Sequence, residues 1–265
     1  QELGLRLMPI PAGSFLLGSP EKLPGACAVS VPKTDLILTG NAKGELHLSD
    51  LAGRPPRNVG QKLPAAVTAV AASPDGKLLF TGCSDGSTHL VSLPGGVKIA
   101  SFSDHKSPVT TVAFSPKKNL MASCELAGKA VIRTCEAESK PVFLEGNSAR
   151  FDNIDFSPEG TRILTSGPGA PPALWSSADG AFLLHLGVAL EDVVTARFAR
   201  DGQGISVACR SGRILFCETS TGLTYNRITL PGRELADLHY SPEGNRILVV
   251  TQEGLCSIRS IPQAE

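Results

Sequence analysis

The chain has 265 residues, 42% of them hydrophobic and 19% charged, a balance too apolar for disorder and sufficient for one large domain with its own core. Lys plus Arg equals Asp plus Glu at 25 each, and no run of five basic residues occurs, so the basic stripe of a nucleic-acid binder is missing. No stretch approaches the ~18 uninterrupted apolar residues of a membrane span.

The first segments of strand character are "LGLRLM" (3–8) and "SFLLG" (14–18), and six copies of one unit follow. The copies are anchored by a Ser-Pro at Ser73, Ser115, Ser157 and Ser241, spaced 42, 42 and 84 residues apart. Ala199 in "FARDGQG" fills the gap, and Val31-Pro32 stands 42 residues before Ser73, so the units start at 31, 73, 115, 157, 199 and 241 without a slip. An apolar lead such as "VTAVAASP" or "LADLHYSP" precedes each anchor, and an acid/basic-Gly turn follows it. Next comes a β-branched and Leu-rich run, "LILTG", "LLFTG", "LMASC", "RILTS", "GISVA" or "ILVVT". A second turn ends at Gly44, Gly86, Gly128, Gly212 and Gly254, where a positive φ is expected; the fourth unit has Ala170 there, inside "GPGAPPA". The third run is apolar at one position in all six units: Leu48, Leu90, Ile132, Leu174, Phe216 and Ile258. A looser run such as "KIASF" or "PVFLE" closes the unit.

Short strands with turn signals every 8–12 residues describe an all-β protein, and four strands per ~40–45-residue unit describe propeller blades around a channel. Residues 1–265 are therefore read as a single all-β propeller of six four-stranded blades. The sixth unit ends in "IPQAE", short of a fourth strand, and the register projects that place onto residues 14–18. The expectation is that 14–18 pairs with the third strand of the last blade and closes the ring. Residues 3–8 leave a seven-bladed ring as the alternative.

With this blade order the chain resembles WD40-repeat proteins over about residues 14–260, in the divergent form common in bacterial multi-repeat chains. The Trp-Asp places that would end the third strands hold Ser49-Asp50, Val91-Ser92, Arg133-Thr134, Trp175-Ser176, Cys217-Glu218 and Arg259-Ser260. The Gly-His place survives as Asp104-His105 and the turn Asp as Asp85, and no unit assembles the family's whole Asp–His–Ser/Thr–Trp network. The resemblance implies a rigid disc that docks proteins through loops on its top face. A second, fifteen-residue resemblance, "LMPIPAGSFLLGSPE" (7–21), is to the opening of formylglycine-generating enzymes, and nothing after it continues that fold.

Motifs of chemistry are sparse. "GCSDG" (82–86) has the G-x-S-x-G spacing of a nucleophile elbow, but it falls in a strand–strand turn where that motif needs strand–turn–helix. His47 and His89 occupy the same third-strand place in adjacent units and read as packing rather than metal ligands. No catalytic, cofactor-binding or metal-binding residue is assigned. The function expected is non-enzymatic, an interaction module, scaffold or complex subunit with a protein partner. Its contact candidates are Lys43, Asp85, Asp104, His105, Gly169, Pro171, Pro172, Arg210 and Glu253, with Trp175 read as buried. The competing readings are a ligand-binding or catalytic propeller using Asp152, Asp155, Arg197 and His239 at the channel mouth, or the propeller of a longer multidomain enzyme.

Seven cysteines with no C-x-x-C pair read as reduced thiols and favour a cytoplasmic setting. The start at Gln1 reads as a processed or excised form and leaves an exported mature chain open.

Overall fold

The computed structural model describes residues 14–15, 27–50, 55–144, 150–188, 192–241 and 243–261. The first sheet runs β1 (Ser14–Phe15), β2 (Cys27–Val31), β3 (Leu36–Gly40), β4 (Leu46–Asp50), β5 (Arg57–Asn58). The second runs β6 (Val67–Ala72), β7 (Leu78–Cys83), β8 (Thr88–Ser92), β9 (Lys98–Phe102). The third runs β10 (Val109–Phe114), β11 (Leu120–Glu125), β12 (Ala130–Thr134), β13 (Val142–Leu144). The fourth runs β14 (Asn153–Phe156), β15 (Arg162–Ser166), β16 (Ala173–Ser176), β17 (Phe182–His185). The fifth runs β18 (Val193–Phe198), β19 (Gly204–Cys209), β20 (Arg213–Glu218), β21 (Thr224–Thr229), and the sixth β22 (Leu235–Tyr240), β23 (Arg246–Thr251), β24 (Cys256–Ser260). All pairings are antiparallel, and the chain is an all-β propeller of six blades.

The repeated Ser has a structural task. Its hydroxyl accepts the N–H that starts the next strand: Leu78 at 2.9 Å from Ser73, Arg162 at 3.0 Å from Ser157, Arg246 at 3.2 Å from Ser241. The hydroxyl thus caps a turn whose Gly has a positive φ. In the fifth blade Ala199 has no hydroxyl, and Asp201 caps the turn by accepting from Gln203 N at 2.9 Å. At the opposite end of the blades Gly86 (φ 85°) is confined sterically as well, because a Cβ there would stand 2.6 Å from the His105 carbonyl oxygen. The fourth blade solves the same turn one residue earlier, at Gly169 (φ 88°) rather than Ala170.

Five apolar clusters hold consecutive blades together, each drawing residues from two neighbours, such as Leu38 and Leu48 with Val70 and Leu79, or Phe216 with Leu238 and Ile247. The shared third-strand position is 0–3% exposed in five blades, from Leu48 to Phe216, but Ile258 is 54% exposed. No fourth strand covers β24 among the described residues.

The segment expected to close the ring lies elsewhere in its described part. Ser14 pairs with Val29 and Phe15 with Ala28, on the channel-side edge of β2, not on β24. That edge is the free ladder of the innermost strand, and its N–H and C=O groups need partners as much as those of β24. Residues 16–18 and 3–8, and all but two residues of the 7–21 resemblance, lie outside the described residues.

Candidate functional site

The turns between second and third strands define the upper face, and one device holds them. In four blades a backbone N–H of this turn donates to the carbonyl just before the blade's own first strand: Ser84 to Ala66, Leu126 to Pro108, Arg210 to Asp192 and Gln252 to Glu234, at 2.8–2.9 Å. Lys43, Asp85, Gly169, Arg210 and Glu253 are exposed on these turns. Arg210 Nη1 stands 4.0 Å from Glu234, and Arg233 pairs with Glu253 at 3.1 Å, giving a charged fringe on the last two blades.

The other contact candidates turn inward. Asp104 is held by Arg133 through two hydrogen bonds of 2.7 Å, with both side chains nearly buried, and the Arg133 guanidinium lies 4.2 Å from the Phe102 ring centre. His105 is buried, with Nε2 2.7 Å from Ser123 Oγ and Nδ1 3.7 Å from Glu125. Burial holds its imidazole below the ordinary histidine range against the pull of Glu125 and Asp104. Pro172 is buried and Pro171 half-buried, so of that loop only Gly169 stands clear. Asp104 and His105 thus take hydrogen-bond partners from within the blade.

The hydrogen-bond network absent from any one unit is present as separate legs. Ser123–His105 forms one leg in the third blade. Trp175 Nε1 donates to Thr165 Oγ1 at 2.9 Å in the fourth, where Trp175 is fully buried and edge-on to Phe182. In the second blade Asp85 accepts from Ser87, Ser87 Oγ is 3.1 Å from His89 Nε2, and His89 Nδ1 is 2.9 Å from Ser101. His47, on β4, has Nε2 3.4 Å from Nδ2 of Asn41 in the turn before that strand. Among the described residues no three His, Cys, Asp or Glu side chains gather as metal ligands. Ser84 lies in a hairpin turn between β7 and β8, without the helix an elbow needs. Burial pushes the thiols of Cys27 and Cys83 up to about 12 and about 11, so neither is a ready nucleophile.

The channel is lined by positions that repeat with the blades. Val29, Ala71, Ala113, Asp155, Arg197 and His239 each stand 42 residues from the next, one on every first strand, and all six border a cavity of about 460 Å³ at the Ser-Pro end. Two residues upstream, a second ring runs Cys27, Ala69, Thr111, Asn153, Thr195 and Asp237. Five of its members border a second cavity of about 60 Å³, which Arg197 also borders. In the lower ring blades one to three are apolar and blades four to six are Asp, Arg and His.

The structure thus brings together Asp155, Arg197 and His239, and adds Asp237. His239 Nε2 is 3.0 Å from Asp237 Oδ2, while Arg197 Nη2 is 3.8 Å from Asp237 Oδ1, too far for a hydrogen bond. Burial pushes the Asp237 carboxyl up, but the His239 contact and the Arg197 charge outweigh it and hold it below the usual carboxylate range. Burial prevails at Asp155, whose carboxyl is raised despite Arg197 and the N–H of Phe198, donated at 3.0 Å. Asp152 lies at the other end of the channel, paired with Arg150 at 2.6 Å. Asp237 was missed in the sequence, although its place two residues before His239 on one strand puts both on one face.

Residues 30–117 match the family described as the anaphase-promoting complex subunit 4 WD40 domain. No curated protein matches the chain significantly. Among the described residues no helix is long and apolar enough to cross a membrane. The unbroken 42-residue register, the six blades, the surviving legs of the Trp and His networks and this match over residues 30–117 support a WD40-repeat β-propeller.

Proposed function

We propose that the chain is a non-enzymatic interaction module, a scaffold or subunit of a larger complex, docking a protein on its upper face. The observation that carries this is the rigid presentation of exposed, chemically varied turns. Lys43, Asp85, Gly169, Arg210 and Glu253 stand on equivalent turns of five blades, and backbone bonds tie several of those turns to the sheets beneath. A surface organised before binding loses little entropy when a partner arrives. The family matched over residues 30–117 carries the name of a complex subunit, which agrees with this reading.

The test is affinity purification of the tagged chain from its native host, at low and moderate salt, beside the variant Lys43→Glu/Arg210→Glu. A stoichiometric protein lost or weakened at least tenfold by the charge reversal supports the proposal. The absence of any stoichiometric protein, or a partner indifferent to the reversal, refutes docking on this face.

A further inference from the structure

The seams between consecutive blades from the first to the sixth are packed, and the far side of the sixth blade is not. Leu38, Phe80, Ala122, Leu164 and Ser206 occupy the same second-strand place, face the following blade and are 0–1% exposed. In the sixth blade Leu248 at that place is half-buried, and Ile258, opposite it on β24, is 54% exposed. The outer edge of β24 has no strand partner among the described residues. Its backbone groups are therefore open to pairing with an added strand.

The neighbouring blades say what that strand needs. In the other five blades the fourth strand runs antiparallel to the third. Ala100, Val142 and Leu184 stand opposite the counterparts of Ile258 in blades two to four. An apolar residue opposite Ile258 thus restores a cross-strand pair. Charge sets the second requirement. Arg259 lies three repeats after Arg133, but Leu230 takes the place of Asp104, and Arg259 makes no ion pair among the described residues. The charged residues of β23 and β24 are Arg246 and Arg259, both exposed. Of the acids in the adjoining turns, Glu253 is held by Arg233 at 3.1 Å, and Glu243 makes no ion pair among the described residues. A second copy of the chain fits poorly. The register that sets Ile258 against Ile258 leaves the two Arg259 side chains as diagonal neighbours on one face, about 7–8 Å apart.

We propose that β24 is a docking edge for an extended segment of a partner protein, which adds to the sixth sheet as an antiparallel fourth strand and sets an acidic residue opposite Arg259 next to an apolar residue opposite Ile258. This surface is separate from the upper face and goes beyond the function proposed for it.

The probe is the peptide acetyl-Ser-Thr-Glu-Val-Thr-Val-Thr-Ser-amide, titrated into the full chain and followed by amide chemical shifts. One control peptide carries Lys for Glu, and another carries Pro for the first Val, which removes a ladder N–H. Saturable shifts centred on residues 256–260 are expected, with the Glu peptide bound at least about fivefold tighter than the Lys peptide at low ionic strength. The Pro peptide should not saturate. Cys256, the one exposed cysteine among the described residues, lies on β24 and reports independently, because bound peptide should slow its alkylation. Arg259→Glu should invert the preference toward the Lys peptide, an exchange that a merely structural Arg259 would not produce. The proposal is overturned by absence of saturable binding, by equal affinity of the Glu and Lys peptides, or by a folded Arg259→Glu of unchanged preference. It is equally overturned if Cys256 is already shielded without peptide, in a monomer by the chain itself or in a dimer by a second copy. None of these outcomes bears on the upper-face proposal, whose variants and partner assay are separate.

Discussion

Replacing Arg133 by Met is the sharpest test of how these blades compensate for their missing Trp-Asp pairs. Arg133 stands at the end of the third strand of its blade, and its guanidinium makes two 2.7 Å bonds to Asp104 while lying over Phe102. It also donates to the Ser139 carbonyl. The two side chains are 10% and 12% exposed, so water cannot replace the guanidinium at the carboxylate. Removing one partner of a buried pair leaves an uncompensated charge, and Arg133→Met should cost about 3–5 kcal/mol, although Met can still cover the Phe102 ring. Asp104→Leu should cost less, about 1–3 kcal/mol, because Arg133 keeps Ser139. The double variant removes both charges and should cost no more than about 2 kcal/mol, because a buried pair replaced by apolar groups is often near neutral. The implied coupling is at least ~2 kcal/mol. Urea unfolding at pH 7, followed by circular dichroism with matched m-values, measures all four corners of this cycle. Additive single effects, or an Arg133→Met cost below about 1 kcal/mol, would refute the idea that this pair locks the blade.

Three further outcomes follow from burial and charge. Trp175 is the sole tryptophan and fully buried, so its fluorescence should be blue-shifted and shielded from acrylamide in the folded chain. Trp175→Phe strands the buried Thr165 hydroxyl and should cost about 1–3 kcal/mol in urea. Because the Asp155 carboxyl is raised in the fold, its ionised form destabilises the native state above that raised value, and the penalty fades as pH falls through it. Asp155→Asn should therefore raise the melting temperature at pH 7–8, with the gain shrinking toward pH 4, and a constant gain across that range would show that charge is not the cause. Leu174→Ala should cost about 2–5 kcal/mol, whereas Ile258→Ala, at the equivalent but exposed position, should cost less than about 1 kcal/mol. Equal losses would mean that Ile258 is covered in solution.

The repeat was legible because a capping hydroxyl, present at four of the six anchors, and glycines at the positive-φ places of the turns recur at a fixed spacing. The inward or outward direction of first-strand residues was less legible. In β6, β10, β18 and β22 the pairing slips after the first residue, so Val67 and Val70, Val109 and Val112, Val193 and Ala196, and Leu235 and Leu238 are buried three apart. A bulge inserts one unpaired residue and breaks the two-residue alternation that sequence reading relies on. Asp104 and His105 were misread for a related reason. A loop between blades suggests an exposed side chain, but their partners, Arg133 and Ser123, lie 29 and 18 residues away, and only the closed blade brings them together. The turn in "GPGAPPA" likewise moved its positive φ to Gly169, since an Ala at 170 gains nothing in that conformation.

The same register separates what the blade needs from what it merely allows. Where a position is fixed by packing, six blades give six apolar residues, as from Leu48 to Ile258. Where it faces the channel, packing demands little, and the six residues are free to diverge: Val29, Ala71, Ala113, Asp155, Arg197, His239. Divergence alone would scatter polar residues around the ring. Here they are contiguous on blades four to six, they meet a fourth polar group in Asp237, and one of them keeps a buried N–H without an acceptor among the described residues. Such a group lowers stability by about 1–3 kcal/mol relative to a satisfied one, and the apolar residues on the other three blades show a cheaper solution at the same place. The upper face and the channel are therefore independent surfaces of one disc: the first is explained by turns that every blade must make, the second by side chains that no blade requires.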